Sequence, residues 1–344
     1  MASWKFKIAS LALAASTSMG VFAQEVTLRF HQFLPPQGTV PAKAITPWAK
    51  KIEEASKGRI KVQLFSSMQL GGTPPQLFDQ ARDGVVDIVW TLQGYTPGRF
   101  PKTEVFELPF MAGLSAEKTS RALWDYVQKN AMDEYKDVHV LAFHTHGPGL
   151  FHTKQPVNGL ESLRGMKMRG GTRIVNNMLT KLGATPVGMP VPAVTEALSK
   201  GVLDGTTIPW EVAPALKVQE LVKNHTSFAG DRALYVTTFI VAMNKAAYNK
   251  LPADLKKVID DNSGAEMGAM FARTQDEGDI RGRALAEKAG NSIVALDLAE
   301  TQRWKRTAAS VESDWVKEMQ GKGIDGARLV AEAKALIAKY EDMK

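Results

Sequence analysis

The chain has 344 residues, 44% of them apolar and 23% charged, and no cysteine. That composition supports one large or two medium globular domains and rules out a disulfide framework, a thiolate metal site and a cysteine-linked lipid anchor. The formal charge of +7 is spread without a basic block, and no aromatic-and-basic stripe or known module points to nucleic acid as a partner.

Residues 1–23 read as a secretory signal peptide. Lys5 and Lys7 precede the apolar run IASLALAAS, and the small-residue site Val21-Phe22-Ala23 follows it. Cleavage near Ala23 starts the mature chain at Gln24, in the periplasm, and lowers the formal charge from +7 to +5. The apolar run is too short to span a bilayer and no later run reaches about 18 apolar residues, so the protein is not expected to span a membrane itself.

The mature chain opens with VTLRFHQF, whose alternating apolar residues predict a strand ending at the Pro35-Pro36 breaker. AITPWAKKIEEAS places Ile45, Trp48, Ala49 and Ile52 on one helical face and stops at Gly58. IKVQLF alternates as a second strand, PPQLFDQARDG reads as a helix with proline at its start and glycine at its end, and VDIVWTL reads as a strand covered on both faces. After a helical stretch the pattern recurs: strand VHVLAFHT, helix GTRIVNNMLTKLG, short strand ATPVGM, helix VPAVTEALSKG, strand LDGTTI. LYVTTFIVAMN is another strong strand, and helical patterns dominate from about Leu255. Two successive α/β units with largely parallel sheets suggest two lobes.

Ligands of open α/β sheets sit beyond the carboxyl ends of the strands. That directs attention to Gln32, Leu92 with Gln93, the segment His144 to Gly149 including His146, Arg169, Ile208 with Trp210, and Phe239. Enzyme signatures are missing: there is no G-x-S-x-G elbow, no H-E-x-x-H and no P-loop, and GPGLFH carries His152 where a dinucleotide loop needs its third glycine. His144 and His146 fall on one side of a strand, a spacing open to zinc, yet no acidic residue lies nearby in sequence to complete a metal site. In GMKMRGGTRI, Arg169 ends a strand, Gly170-Gly171 permit close approach of a ligand, and Arg173 falls in the first turn of the next helix. Either a solvated surface arginine or a bidentate carboxylate clamp fits that pattern. Trp210 equally fits a ligand wall or interlobe core.

Four segments stand in order along the mature chain: SKGRIKVQLFSSMQLGG, DGVVDIVWTLQGYTPGRFPKTEVFELPF, LRGMKMRGGTRIVNNMLTKLGATPVGMPVPAVTEALSKGVLDG and LPADLKKVI. With them the chain resembles the extracytoplasmic solute receptors of tripartite ATP-independent periplasmic (TRAP) transporters, the DctP-like substrate-binding proteins. The resemblance implies a two-lobed α/β periplasmic binding protein fold with an interlobe ligand cleft and a helical C-terminal region. It also implies capture of an organic acid by lobe closure, delivery to the membrane subunits of a TRAP permease, no cofactor and no catalysis. Lobe 1 is expected at 24–147 with about 237–277 returning to it, and lobe 2 at 148–236 with about 278–344 contributing helices. In the family the arginine of K-x-R pairs with the ligand carboxylate, and Arg169 holds that position here, whereas Arg173 has no clear counterpart.

Departures from the sugar-acid-binding members bear on the ligand. Gly149 stands where those carry a second arginine, Ile208 where they carry asparagine before proline, and Leu92, beside Gln93, where they carry an acidic contact. Each change removes a polar group, so the expected ligand is a carboxylate with an apolar or aromatic body. Gln32 and Gln93 are expected to contact it from the opposite lobe, and Trp210, Tyr235 and Phe239 to enclose it. A receptor for an ATP-driven importer or a sensor kinase, or a metal-dependent enzyme using His144, His146 and His152, are the alternatives.

Overall fold

Apolar alternation at Val26, Leu28 and Phe30 produces β1 (Val26–Gln32), which lies inside a five-stranded sheet. The computed structural model describes residues 26–343, so the expected signal peptide lies outside the described residues. β2 (Ile60–Phe65) and β3 (Ile88–Leu92) flank β1 in parallel. Every residue of β3 is buried, as its unbroken apolar run requires. β4 (Val138–Thr145) closes the sheet.

The second sheet is built from β5 (Leu150–Thr153), β6 (Lys167–Gly170), β7 (Thr185–Gly188), β8 (Gly205–Ile208) and β9 (Asn224–Phe228). The chain then returns to the first sheet as β10 (Thr238–Asn244), which inserts antiparallel between β3 and β4, and goes back to the second as β11 (Ser292–Leu296). The orders are β2-β1-β3-β10-β4 and β11-β9-β5-β8-β6-β7. Both sheets are therefore mixed and not largely parallel, because β10 and β5 run against their neighbours. These are the strands laid down where the chain crosses between sheets. β5, β9 and β11 escape the sequence pattern: LFHT and NHTSF carry little alternation, and SIVAL interrupts a helical region.

The 25-residue helix Gly264–Lys288 packs on β4, on helix Ala116–Asn130 and on the turn that follows β8. Two carboxylates one turn apart fasten it. Asp276 accepts from the N–H groups of Ala116 (2.9 Å) and Glu117 (3.2 Å), at the start of helix Ala116–Asn130, while Asp279 accepts from the N–H of Glu211 (2.7 Å), just after β8. Glycines let it approach backbone on each side: a Cβ at Gly268 would lie 2.2 Å from the Phe143 carbonyl oxygen, and one at Gly282 would lie 2.1 Å from that of Trp210. Helix Leu298–Gly321 packs on helix Arg173–Lys181, beside the second sheet. Helix Gly326–Asp342 packs chiefly on Ala116–Asn130, beside the first sheet. No described helix is long and apolar enough to cross a membrane.

Candidate ligand-binding site

The ends of β3, β6, β8 and β10 meet around a small, tightly lined pocket. Its aromatic side is a layered stack. Phe33 lies on Trp90 with ring centroids 4.8 Å apart and planes 9° apart, and Trp90 lies on Phe239 at 5.2 Å and 4°. His144 continues the stack on Phe239 at 4.7 Å, held in plane by the Trp90 indole N–H, which donates to its Nε2 (2.8 Å). Leu34, Leu92, Ile208, Pro209, Val191 and Val212 add to the apolar lining.

Arg169, 4% exposed, supplies the charge. Its Nε donates to the carbonyl of Met189 (2.9 Å) and its Nη1 to that of Thr207 (3.1 Å), and among the described residues no carboxylate pairs with it. Gly171 makes room for this fold-back, since a Cβ there would lie 2.9 Å from Nη2. A guanidinium has five N–H donors; two meet carbonyls and one more can serve the adjacent Tyr95 phenol, which leaves the two that a bidentate carboxylate takes. A buried, unneutralised charge is costly, so the site is built to receive an anion.

Neutral polar groups surround it. Burial raises the Tyr95 phenol, with the Arg169 charge opposing, and burial pushes Tyr235 up to about 12, so both remain protonated donors. Tyr95 also accepts from the N–H of Val191 (2.9 Å). His146 is held down to about 4, chiefly by burial, with Arg169 adding to the effect. Its Nε2 accepts from the N–H of Thr237 (3.1 Å), so Nδ1 carries the proton and donates to Gly147 (2.5 Å). Both ring nitrogens are thus committed to backbone, and His146 offers the pocket only its ring.

Of the residues expected at the site, Arg169, Leu92, His146, Ile208, Tyr235 and Phe239 line the pocket together. Four do not. Gln32 turns back on its own loop, donating to the carbonyl of Leu34 (2.7 Å) and accepting its N–H (2.5 Å). Gln93 points into the first lobe and donates to the Tyr135 hydroxyl (2.8 Å). The Trp210 ring packs against His152 and His225, at centroid distances of 5.0 and 4.8 Å, behind the pocket. Gly149 acts by default: a Cβ there would lie 2.2 Å from the Tyr235 ring, so Tyr235 occupies the space a side chain at 149 would need.

The expected set omitted Phe33, Trp90, Tyr95 and Glu211, all of which line the pocket. Trp90 was within reach, because it shares a strand face with Leu92 two residues on. The histidines do not assemble a metal centre: His152 bonds His225 (2.7 Å between Nδ1 atoms), His144 and His146 are engaged as described, and no cluster of three potential ligands exists among the described residues. Arg173 faces away from the pocket toward two glutamates, Glu104 and Glu318.

Residues 30–318 match the family described as bacterial extracellular solute-binding protein, family 7, DctP. The chain is 52% identical to a TRAP solute-binding protein of Rhodoferax ferrireducens T118 solved with copurified benzoate, with a TM-score of 0.90 over 92% of this chain and 98% of that one. It is 50% identical, with a TM-score of 0.91 over 93% and 100% of the two chains, to a marine-metagenome TRAP solute-binding protein specific for aromatic acid ligands, solved with 3-hydroxybenzoate. A TRAP periplasmic solute-binding protein of Bordetella bronchiseptica with bound (R)- and (S)-mandelate is 31% identical, with a TM-score of 0.83 over 91% and 99%. The two-lobed fold and the unpaired arginine at the strand ends thus sit in a matching sequence frame, and the chain belongs to the DctP family of extracellular solute-binding proteins, the receptors of TRAP transporters.

Proposed function

We propose that this TRAP receptor captures an aromatic monocarboxylate and presents it, enclosed between the lobes, to the permease subunits. One observation carries the proposal: Arg169 is buried, has no carboxylate partner among the described residues, and opens on a pocket walled by Phe33, Trp90 and Phe239. The relatives solved with benzoate, 3-hydroxybenzoate and mandelate support it. Arg169 takes the carboxylate, Tyr95 and Tyr235 donate beside it, and the aromatic stack and Leu92 and Ile208 receive the ring. Apolar walls penalise the buried hydroxyls of a sugar acid.

One lobe is then built on the first sheet, from about 24–147 and 237–277 with the last helix added, and the other on 148–236 with the segment after 278 up to that helix. Residues 1–23 direct export to the periplasm and are removed near Ala23. The receptor binds and releases its ligand without turning it over. A ligand that fits both lobes binds the closed form better and shifts the population toward it.

Thermal unfolding of protein refolded free of carried-over ligand, against aryl, aliphatic and sugar acids, tests the proposal. A ligand at a hundred times its dissociation constant stabilises by about 2.7 kcal/mol. Aryl acids should raise the midpoint in the wild type and fail to do so in Arg169→Ala. Stabilisation by sugar acids in preference to aryl acids overturns it.

A further inference from the structure

Glu211 is the one acidic side chain among the pocket-lining residues, and it is 4% exposed. It is placed by its backbone: its N–H donates to Asp279 (2.7 Å) and its carbonyl accepts from the Thr39 hydroxyl (3.1 Å). One carboxyl oxygen, Oε1, accepts from the Gln275 amide (3.2 Å), and the other, Oε2, is buried without a hydrogen bond of its own, the Thr39 hydroxyl lying near enough only to draw the carboxyl's pKa back. Buried polar atoms are almost always satisfied, so an orphaned carboxyl oxygen at a pocket wall calls for a ligand group.

Glu211 is not a counter-ion to Arg169. The two form no ion pair, and their partners do not overlap: Arg169 is held by Met189 and Thr207 beside Tyr95, Glu211 by Gln275 and Asp279 of the connecting helix and by Thr39. The same pocket therefore carries two separate ionisable stations, Arg169 and Glu211, with the neutral Tyr95, Tyr235 and Thr237 and the aromatic stack, Leu92 and Ile208 among the rest of its lining.

Given the aromatic-acid reading above, on which this rests, we infer that Glu211 selects a hydrogen-bonding ring substituent, a phenolic hydroxyl, on a ligand whose carboxylate is held by Arg169. A phenol donates and accepts, so it satisfies Oε2 in either protonation state of the carboxyl. An unsubstituted aryl acid leaves Oε2 unpaired. Burial pushes the Glu211 carboxyl up to about 7, so below that pH it is mostly uncharged and does not repel an anionic ligand.

The test is calorimetric titration of ligand-free protein with benzoate, its three monohydroxy isomers and the matching methoxybenzoates. Wild type, Glu211→Gln and Glu211→Leu are compared, and near-ultraviolet circular dichroism checks that each variant is folded. The readout is the ratio of affinities within one protein. In the wild type one hydroxy isomer should bind roughly tenfold or more tighter than benzoate, the size of one well-made buried hydrogen bond. That ratio should collapse to about one in Glu211→Leu and survive in part in Glu211→Gln, which keeps an amide for both Gln275 and the phenol. If benzoates bind but no isomer is preferred, or if the preference persists in Glu211→Leu, Glu211 is not the selector while the aromatic-acid receptor stands. If no aryl acid binds the wild type, the receptor reading fails and takes this inference with it.

Discussion

Arg173, the first residue of the helix after β6, holds Glu104 through two hydrogen bonds, Nε to Oε1 at 2.6 Å and Nη2 to Oε2, while its Nη1 reaches Glu318 at 2.7 Å. The pair ties the segment after β3 to the helix after β6, outside the pocket, and Glu104 is almost fully buried, its carboxyl raised by that burial and drawn back by Arg173. Under the lobe division proposed above, such a bond is complete only when the lobes are together, so it should act as a closing latch. Charge-assisted bonds of this kind contribute about 1.5 to 3 kcal/mol. Arg173→Ala should therefore weaken binding by roughly tenfold to a hundredfold, mainly through faster dissociation. Because Arg173 does not line the pocket, the loss should be the same factor for every ligand. Stopped-flow dissociation rates for two chemically different acids check this; unequal losses would mean that Arg173 touches the ligand.

Arg169 asks for shape as well as charge. Its Nε and Nη1 are committed to the carbonyls of Met189 and Thr207, so the fork is held rigid with its remaining donors free for a carboxylate. Lysine keeps the charge but has no planar fork and cannot bridge both carbonyls while gripping a ligand. Arg169→Lys is expected to lose at least a hundredfold in affinity, close to the loss in Arg169→Ala, by isothermal titration. Near-wild-type binding by the lysine variant would show that charge alone suffices.

Strand ends lead to the neighbourhood of the pocket but not to each residue that lines it. Arg169, Leu92 and Ile208 follow from where strands stop, whereas Phe239 stands at the start of the antiparallel β10, and at the end of β1 the loop-directed residue is Gln32 and the pocket residue is its neighbour Phe33. The same one-residue ambiguity separates Leu92 from Gln93. Successive side chains point to opposite faces, so a strand end identified to within one residue leaves inside and outside undecided. The remaining features join distant parts of the chain: Arg173 with Glu104, Gly149 with Tyr235, Gln275 with Glu211. Local periodicity carries no record of such pairs.

Gly149 illustrates a contact legible only in three dimensions. Its N–H donates to the Tyr235 carbonyl (3.0 Å), and an added Cβ would sit 2.2 Å from one ring carbon of Tyr235 and 2.3 Å from another. The phenol ring is buried beside Arg169 and cannot simply step aside. Gly149→Ala should cost about 1 to 3 kcal/mol of stability, the usual penalty of overpacking, and should also weaken ligand binding because Tyr235 lines the pocket. Melting curves with and without benzoate measure both effects. An unchanged midpoint would show that the ring moves freely.

Stability should depend on pH through two opposed sets of buried groups. Burial holds His144 at about 3, His146 and His225 at about 4, and His152 well below its usual value. Unfolded histidines bind protons below about 6.5, whereas these do not until much lower pH, so stability falls as pH drops through that interval. Glu107, Glu134 and Glu211 are raised by burial to about 7. Between the unfolded carboxyl value of about 4.5 and 7 the folded protein holds the extra protons, so stability is greatest at the acid end and is lost as pH rises through 7. Glu211→Gln isolates one such contribution, because glutamine keeps the neutral shape and cannot ionise. Its melting midpoint, relative to wild type, should rise as ligand-free samples are taken from pH 5 to pH 8. A midpoint difference that stays constant across that range would mean that the Glu211 carboxyl already ionises near its unfolded value.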